Sequence, residues 1–308
     1  MPALDRITIF PVKSLDGLDV DGCRVLPGGG LENDRRWQFV DMDGRVVNAK
    51  RTALLHAIRA EFDLAGPGEV GQDDGVPGRN LVHLSVDPAA AAAGAIPGVG
   101  RLVGLEPASF PLIPGPDGPC GWLADALGVE LLLLERADGG FPDDRDAAGP
   151  TLVSTATLAE VARWFGFDLD EARRRFRANL EIGSCDPFWE DALASPARPE
   201  LAPPLGELSA ATLADPYADL PPPEPRGFAI GGVAFKATNV CRRCVVPSRD
   251  SRTGLVTERF RDAFEARRRR GLPAGVDAAD WGHFYRLGVN TVGVTAGTLE
   301  RGMSVATP

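Results

Sequence analysis

The stretch RRWQFVDMDGRVVNAK, Arg35 to Lys50, constrains the fold most. Trp37 and Phe39 lie on one arm and Val46 and Val47 on the other, around Asp43-Gly44. An Asp-Gly pair suits a turn with positive φ, so the spacing predicts a β-hairpin. The flanking sequence reads the same way. RITIF near the N-terminus alternates polar and apolar residues before PVKS and LDGLDVDG break the pattern. RNLVHLSV and GRLVGLE continue it. The alanine run Ala89 to Ala93 reads as a loop or short helix. CGWLADALG predicts a short amphipathic helix that Gly128 stops, and VELLLLE a buried strand. GGFPDDRDAAGP is polar with breakers at both ends and predicts a junction between two domains, residues 1–140 and 141–308.

The second half opens with clearer helix signals. TLAEVARWFG offers Thr157 as N-cap with Glu160 three residues on, a capping box, and DLDEARRRF repeats that spacing with Asp168 and Glu171. RANLEIG returns to strand. Residues 195–226 are too rich in proline for central strands and predict a surface excursion. FAIGGVAFKATN predicts a strand pair around Gly231-Gly232. The final stretch predicts short strands with glycine turns, as in a small barrel. The class expected is α+β, predominantly β, with a few short helices.

The net charge of −10 excludes general nucleic-acid binding, which needs a basic face. No run of about 18 apolar residues is present, so no membrane span is expected. MPALDRITIF lacks the pattern of a secretory signal. Five scattered cysteines suit a reducing compartment, and a cytoplasmic location is expected. The chain uses arginine as its default cation. Lysine occurs only as Lys13, Lys50 and Lys236, so a lysine carries more information here.

The chemistry concentrates in NVCRRCVVPSRDSRTG, Asn239 to Gly254. Cys241 and Cys244 enclose Arg242 and Arg243, and three readings compete. Zinc would need two more ligands, yet Cys23, Cys120, Cys185, His56, His83 and His283 stand at no ligand spacing. A thioredoxin-like pair belongs at a strand-to-helix turn, whereas a proline and turn residues follow this one. A single thiolate beside arginines would serve an anionic ligand, because guanidinium pairs with phosphate through two parallel hydrogen bonds. On spacing alone, one inert buried cysteine with arginines that reflect composition accounts for the segment better.

IFPVKSLDG, NDRRWQFVDMDG, STATL, FRANLEIG, CRRCVVPSRDSRTG and the terminal GVNTVGV occur in this order. Together they resemble the MOSC family, and within it the mitochondrial amidoxime-reducing component and its bacterial relatives. The resemblance implies an N-terminal MOSC β-barrel domain followed by a MOSC β-barrel domain. It implies molybdenum cofactor, as Mo-molybdopterin, held between them with the metal on one protein cysteine. The family's C-x-R-C pattern makes that cysteine Cys244, both metal ligand and catalytic residue. Matching cofactor contacts are Lys13, Ser14, Arg35, Ser154, Thr157, Arg177, Asn179, Arg242 and Arg243. Asp250 matches an acidic position and reads as a turn former. Arg242 and Pro247 depart from residues found in some relatives. The implied activity is reduction of N-hydroxylated small molecules, amidoxime or hydroxylamine in type. A separate ferredoxin, flavin or haem donor is expected, since no further cysteines could hold a cluster. A sulfur-transfer or cofactor-carrier module is the alternative.

Overall fold

The computed structural model describes residues 1–65, 80–93, 96–144, 146–194, 227–272, 276 and 281–307. The proline-rich excursion expected at 195–226 lies outside them.

The largest sheet is built from both ends of the chain. Its strand order is β15-β11-β12-β13-β9-β10-β1-β2. These are β1 (Ala3–Ile9), β2 (Leu18–Val20), β9 (Leu152–Ser154), β10 (Leu180–Gly183), β11 (Gly227–Ile230), β12 (Val233–Arg242), β13 (Arg286–Gly293) and β15 (Val305–Ala306). All neighbours are antiparallel except β9 and β10. A parallel pair needs a crossover, here helices α3 (Thr155–Phe165) and α4 (Leu169–Phe176). Strand β3 (Gly22–Val25) pairs separately with β14 (Gly297–Glu300).

The rest of the first half forms smaller sheets. Strand β4 (Trp37–Asp41) pairs with β8 (Leu131–Glu135), and β5 (Ile58–Asp63), β6 (Leu81–Val86) and β7 (Ala108–Pro111) form a meander. The expected hairpin turn is present, with Gly44 at φ +76 and Val40 bridging Val46. Its second arm stays short, however, and β8 supplies the main partner of β4. Trp37 is fully buried beneath this pair, a placement that stabilises the fold by about 2–3 kcal/mol.

The helices α1 (Pro88–Ala93) and α2 (Cys120–Leu127) fall where the sequence predicts them, and Gly128 ends α2 in a left-handed conformation. GRLVGLE does not form a strand. It is a 3-10 turn, Val99–Leu102, entered through Gly98 at φ +86. The cap of α3 also moves. Ser154 is the N-cap, its Oγ accepting from the Thr157 N–H, and Thr157 lies inside the first turn. Glu160 is drawn instead to Arg163 and the Trp164 indole. Asp168 caps α4 as expected.

Two hydrophobic cores divide the molecule, and they do not follow chain halves. One holds Trp37, Leu54, Ile58, Leu84, Leu123 and Leu133. The other joins Leu4, Ile7, Val25 and Leu31 to Leu152, Ile182, Phe235, Val289 and Leu299. A cut at 140 would therefore strip β1 and β2 from the large sheet, and β3 from its partner β14. A third cluster, around Phe176, Phe260 and Phe264, packs the crossover helices against α6 (Phe260–Arg270).

Candidate functional site

The chain leaves the large sheet after β1 and touches β4 before returning. That excursion opens a cleft of about 910 Å³ between the cores. Phe10 stands at the branch point. Its N–H donates to Asp34 Oδ1 at 2.8 Å, and its carbonyl accepts from Arg35 N–H at 2.8 Å. Lys13 N–H then donates to the Trp37 carbonyl, which aims the Lys13 side chain into the cleft.

Strand β12 carries the other wall. Its pairing with β13 shifts register between Val240 and Arg242, and such an irregularity re-aims side chains at the strand end. Cys241, Arg242, Arg243 and Cys244 all line the cleft as a result. Both thiols are free and half-buried. Cys244 Sγ lies 3.5 Å from the Val246 N–H that it accepts. A 3-10 turn at Val246–Ser248 follows, without the helix a thioredoxin-like pair requires. Among the described residues no group of three or more His, Cys, Asp or Glu side chains could hold a metal ion. The two cysteines therefore find no complement for a zinc site there.

The expected site residues separate into three sets. Lys13, Ser14, Arg35, Arg177, Arg242, Arg243, Cys241 and Cys244 line the cleft. Arg243 is spent on structure, since its guanidinium donates to the carbonyls of Leu287 at 2.9 Å and Phe176 at 2.8 Å. Asn179 lies beneath the floor. Its amide N–H groups donate to Thr8 O and Asp34 Oδ1, and its Oδ1 accepts from the Thr151 N–H and Arg35. With all its valences used, it holds Asp34 and Arg35 in place and does not reach the cleft. Ser154 and Thr157 are away from it as well. Both are fully buried and hydrogen-bonded to each other at 2.7 Å, while Thr157 Oγ1 also donates to Glu190. Their hydroxyls close a helix cap, so the expected cofactor contact is replaced by a packing role. Asp250 Oδ1 accepts from the Thr253 N–H and hydroxyl, the turn expected of it.

Arg177 stands apart from the arginines before it. Arg173 pairs with Glu181 and Asp170, and Arg174 and Arg175 pair with Glu171. The Arg177 guanidinium lies 4.1 Å from the Phe10 ring centroid and has no hydrogen-bond or ion-pair partner among the described residues. Burial, then Arg35, pushes its pKa down to about 10. His56, also on the cleft wall, is pushed down to about 4 by burial and then by Arg249, Arg177 and Arg59. Its Nε2 is buried without a partner. A neutral imidazole among guanidinium groups reports a strongly positive interior. This chemistry suits a multiply charged anion.

The backbone tells the same story. Only seven described residues other than glycine have positive φ, and Ser14 (+74), Arg35 (+49) and Arg177 (+50) are three of them. Left-handed backbone costs a side-chain-bearing residue on the order of 1 kcal/mol. The cleft keeps that strain at three points. Sequence reasoning missed His56, Arg59 and Asp143, which also line the cleft. His56 and Arg59 carry no motif of their own. For Asp143 the FPDD stretch was the signal, read there only as a junction.

These features define a β-rich protein of two cores with a cationic, thiol-bearing cleft between them. Residues 1–91 match the family model for the MOSC N-terminal beta barrel domain. The molybdenum cofactor sulfurase of Drosophila yakuba is 27% identical over 264 residues, which cover 82% of this chain and 28% of that protein. That of Drosophila ananassae is 32% identical over 208 residues, covering 61% of this chain and 24% of that protein. The chain's first 91 residues are thus similar to the MOSC N-terminal beta barrel domain, and most of its length is similar to molybdenum cofactor sulfurases. It spans less than a third of the length of these curated relatives. No helix among the described residues is long and apolar enough to cross a membrane.

Proposed function

We propose that the cleft holds molybdenum cofactor and that the chain is a molybdenum-dependent reductase of N-hydroxylated small molecules. The observation that carries this reading is the Arg177 guanidinium, half-buried on the cleft wall with no hydrogen-bond or ion-pair partner among the described residues, in the same cavity as the Cys244 thiol. A cation drawn from water without a hydrogen-bonded anion is costly, and a phosphate would relieve it. Cys244 would be the sulfur ligand, with Arg177, Lys13, Ser14 and Arg242 toward the phosphate and polar pterin.

When bound, the cofactor would supply two-electron oxygen-atom chemistry. The chain's own residues bind and orient. Arg35 is fixed by Asp34 and Asn179, so it presents a preset donor face. Phe10 backs both Arg35 and Arg177, at 5.3 and 4.1 Å from its ring centroid, and excludes water from one side of the guanidinium planes. The net reaction takes an N–OH group, two electrons and two protons to N–H and water. A separate ferredoxin, flavin or haem protein would deliver the electrons.

Cys244→Ala is expected to abolish reduction of benzamidoxime with an artificial electron donor, while Cys241→Ala retains most of it. Equal loss from both would move the assignment to a dithiol mechanism. The names of the relatives favour a second reading, sulfur transfer to cofactor. In that case Cys244 would carry a persulfide detectable by thiol-selective labelling, and amidoxime reduction would be absent from the wild type.

A further inference from the structure

The segment joining β8 to β9 crosses the cleft as a strap. The Phe141 N–H donates to the Arg35 carbonyl at 2.8 Å. The Phe141 carbonyl accepts from Lys13 Nζ at 3.1 Å. Two residues on, Asp143 Oδ1 lies 3.0 Å from the same ammonium, and Oδ2 lies 3.8 Å from Arg35 Nε. The Asp143 side chain is 56% exposed, so packing does not hold it in this position. Charge does. Burial pushes its carboxyl up, but Arg35 and then Lys13 outweigh burial and hold it at about 2.

The two ends of the cleft therefore differ. Arg177 faces it without an acceptor among the described residues, while Lys13, at 17% exposure, already meets two acceptors from one strap. A carboxylate and a phosphate compete for the same donors. A tethered carboxylate competes at an effective concentration in the millimolar range or above. A free monoanion cannot readily displace it. A phosphate can, because it brings more charge and more acceptor oxygens.

We propose that Asp143 is an internal counter-anion that occupies the Lys13–Arg35 corner until a phosphate-bearing ligand displaces it, which makes the cleft selective for multiply charged anions. This rests on the reading of the cleft as an anion site. It assigns Asp143 as a specificity-determining residue and the Phe141–Asp144 strap as the part that shifts on binding.

Titration calorimetry of the full 308-residue chain with inorganic phosphate, and separately with acetate, tests it. Asp143→Asn is expected to bind phosphate about fivefold more tightly than wild type, the worth of a half-exposed ion pair. It is also expected to acquire acetate binding that the wild type lacks. Asp138→Asn removes the same charge outside the cleft, from an exposed carboxylate 3.5 Å from Arg136 Nε. It should bind both anions as the wild type does. Wild type and Asp143→Asn binding phosphate equally would overturn the proposal and leave the anion reading intact. So would equal gains in both variants, which would reveal a general effect of charge. Absence of phosphate binding in wild type and variant alike would remove the anion reading itself, and the proposal with it.

Discussion

Arg177 is the residue on which strain and function meet. It is the C-cap of α4, in left-handed conformation, with its N–H on the Arg173 carbonyl. Glycine is the usual occupant of such a position, because a Cβ there is strained. The side chain gains no hydrogen bond among the described residues that would offset the strain. Arg177→Gly is therefore expected to raise stability, by about 0.5–1 kcal/mol in denaturant unfolding. The same change should weaken phosphate binding at least about tenfold through loss of a charge-assisted contact. A variant that lost stability would show that the guanidinium belongs to the fold. The resemblance singled out Arg177, yet its position in a run of arginines hid what distinguishes it. Only the carboxylate partners of Arg173, Arg174 and Arg175 do that, and they come from Asp170 and Glu171 nearby and from Glu181 on β10.

At the scale of elements, the crossover from β9 through α3 and α4 to β10 meets the short helix α5 (Asp191–Ala194) and α6 at a buried charge cluster. Asp191 and Arg268 form an ion pair of 2.6 Å with both side chains fully buried. Glu190 lies beside them, equally buried, with Oε2 accepting from Thr157 and Oε1 unpartnered. Burial, then the Asp191 charge, pushes Glu190 up from 4.5 to about 7. A raised carboxyl pKa means that the fold favours the protonated form. Its contribution is fully present below the unfolded value of 4.5 and lost as pH rises through about 7. Glu190→Gln should flatten the dependence of stability on pH across that window, measured by urea unfolding at several pH values. An unchanged slope would show that Glu190 stays ionised in the fold. No local pattern announces this cluster. FWEDALA and the arginine run of α6 carry no local mark of it, and only the tertiary packing brings Glu190, Asp191 and Arg268 together. The helix caps show the reverse case. DLDE marked the start of α4 because the signal is local. TLAE misled by three residues because Ser154, at the end of a strand, competes as cap through its extended backbone.

Over the whole molecule, alternation of apolar residues and glycine turns made most strands legible, β1, β6, β8, β11 and β12 among them. Their partners were not legible. Pairing β1 with β10 and β3 with β14 joins positions more than 150 residues apart, and no local pattern encodes that. The consequence is functional. Returning the N-terminal strands to the second core pins PVKS against CRRC, and the segment Arg249–Gly254 ties the cores on the far side. There Arg252 meets Asp87 at 3.0 Å and Arg249 donates to the Ala49 carbonyl. Gly254 (φ +71) passes so near Ala53 that a Cβ would lie 2.7 Å from its carbonyl oxygen. A cleft fixed at both ends can hold a rigid polar ligand with only the Phe141–Asp144 strap shifting. Metal analysis of the purified protein, together with fluorescence of its oxidised pterin, tests that occupancy most directly. The expected result is about one molybdenum per chain in the wild type and loss of the metal in Cys244→Ala, as a thiolate ligand requires. Zinc in place of molybdenum, or molybdenum retained in full without the Cys244 sulfur, would contradict it.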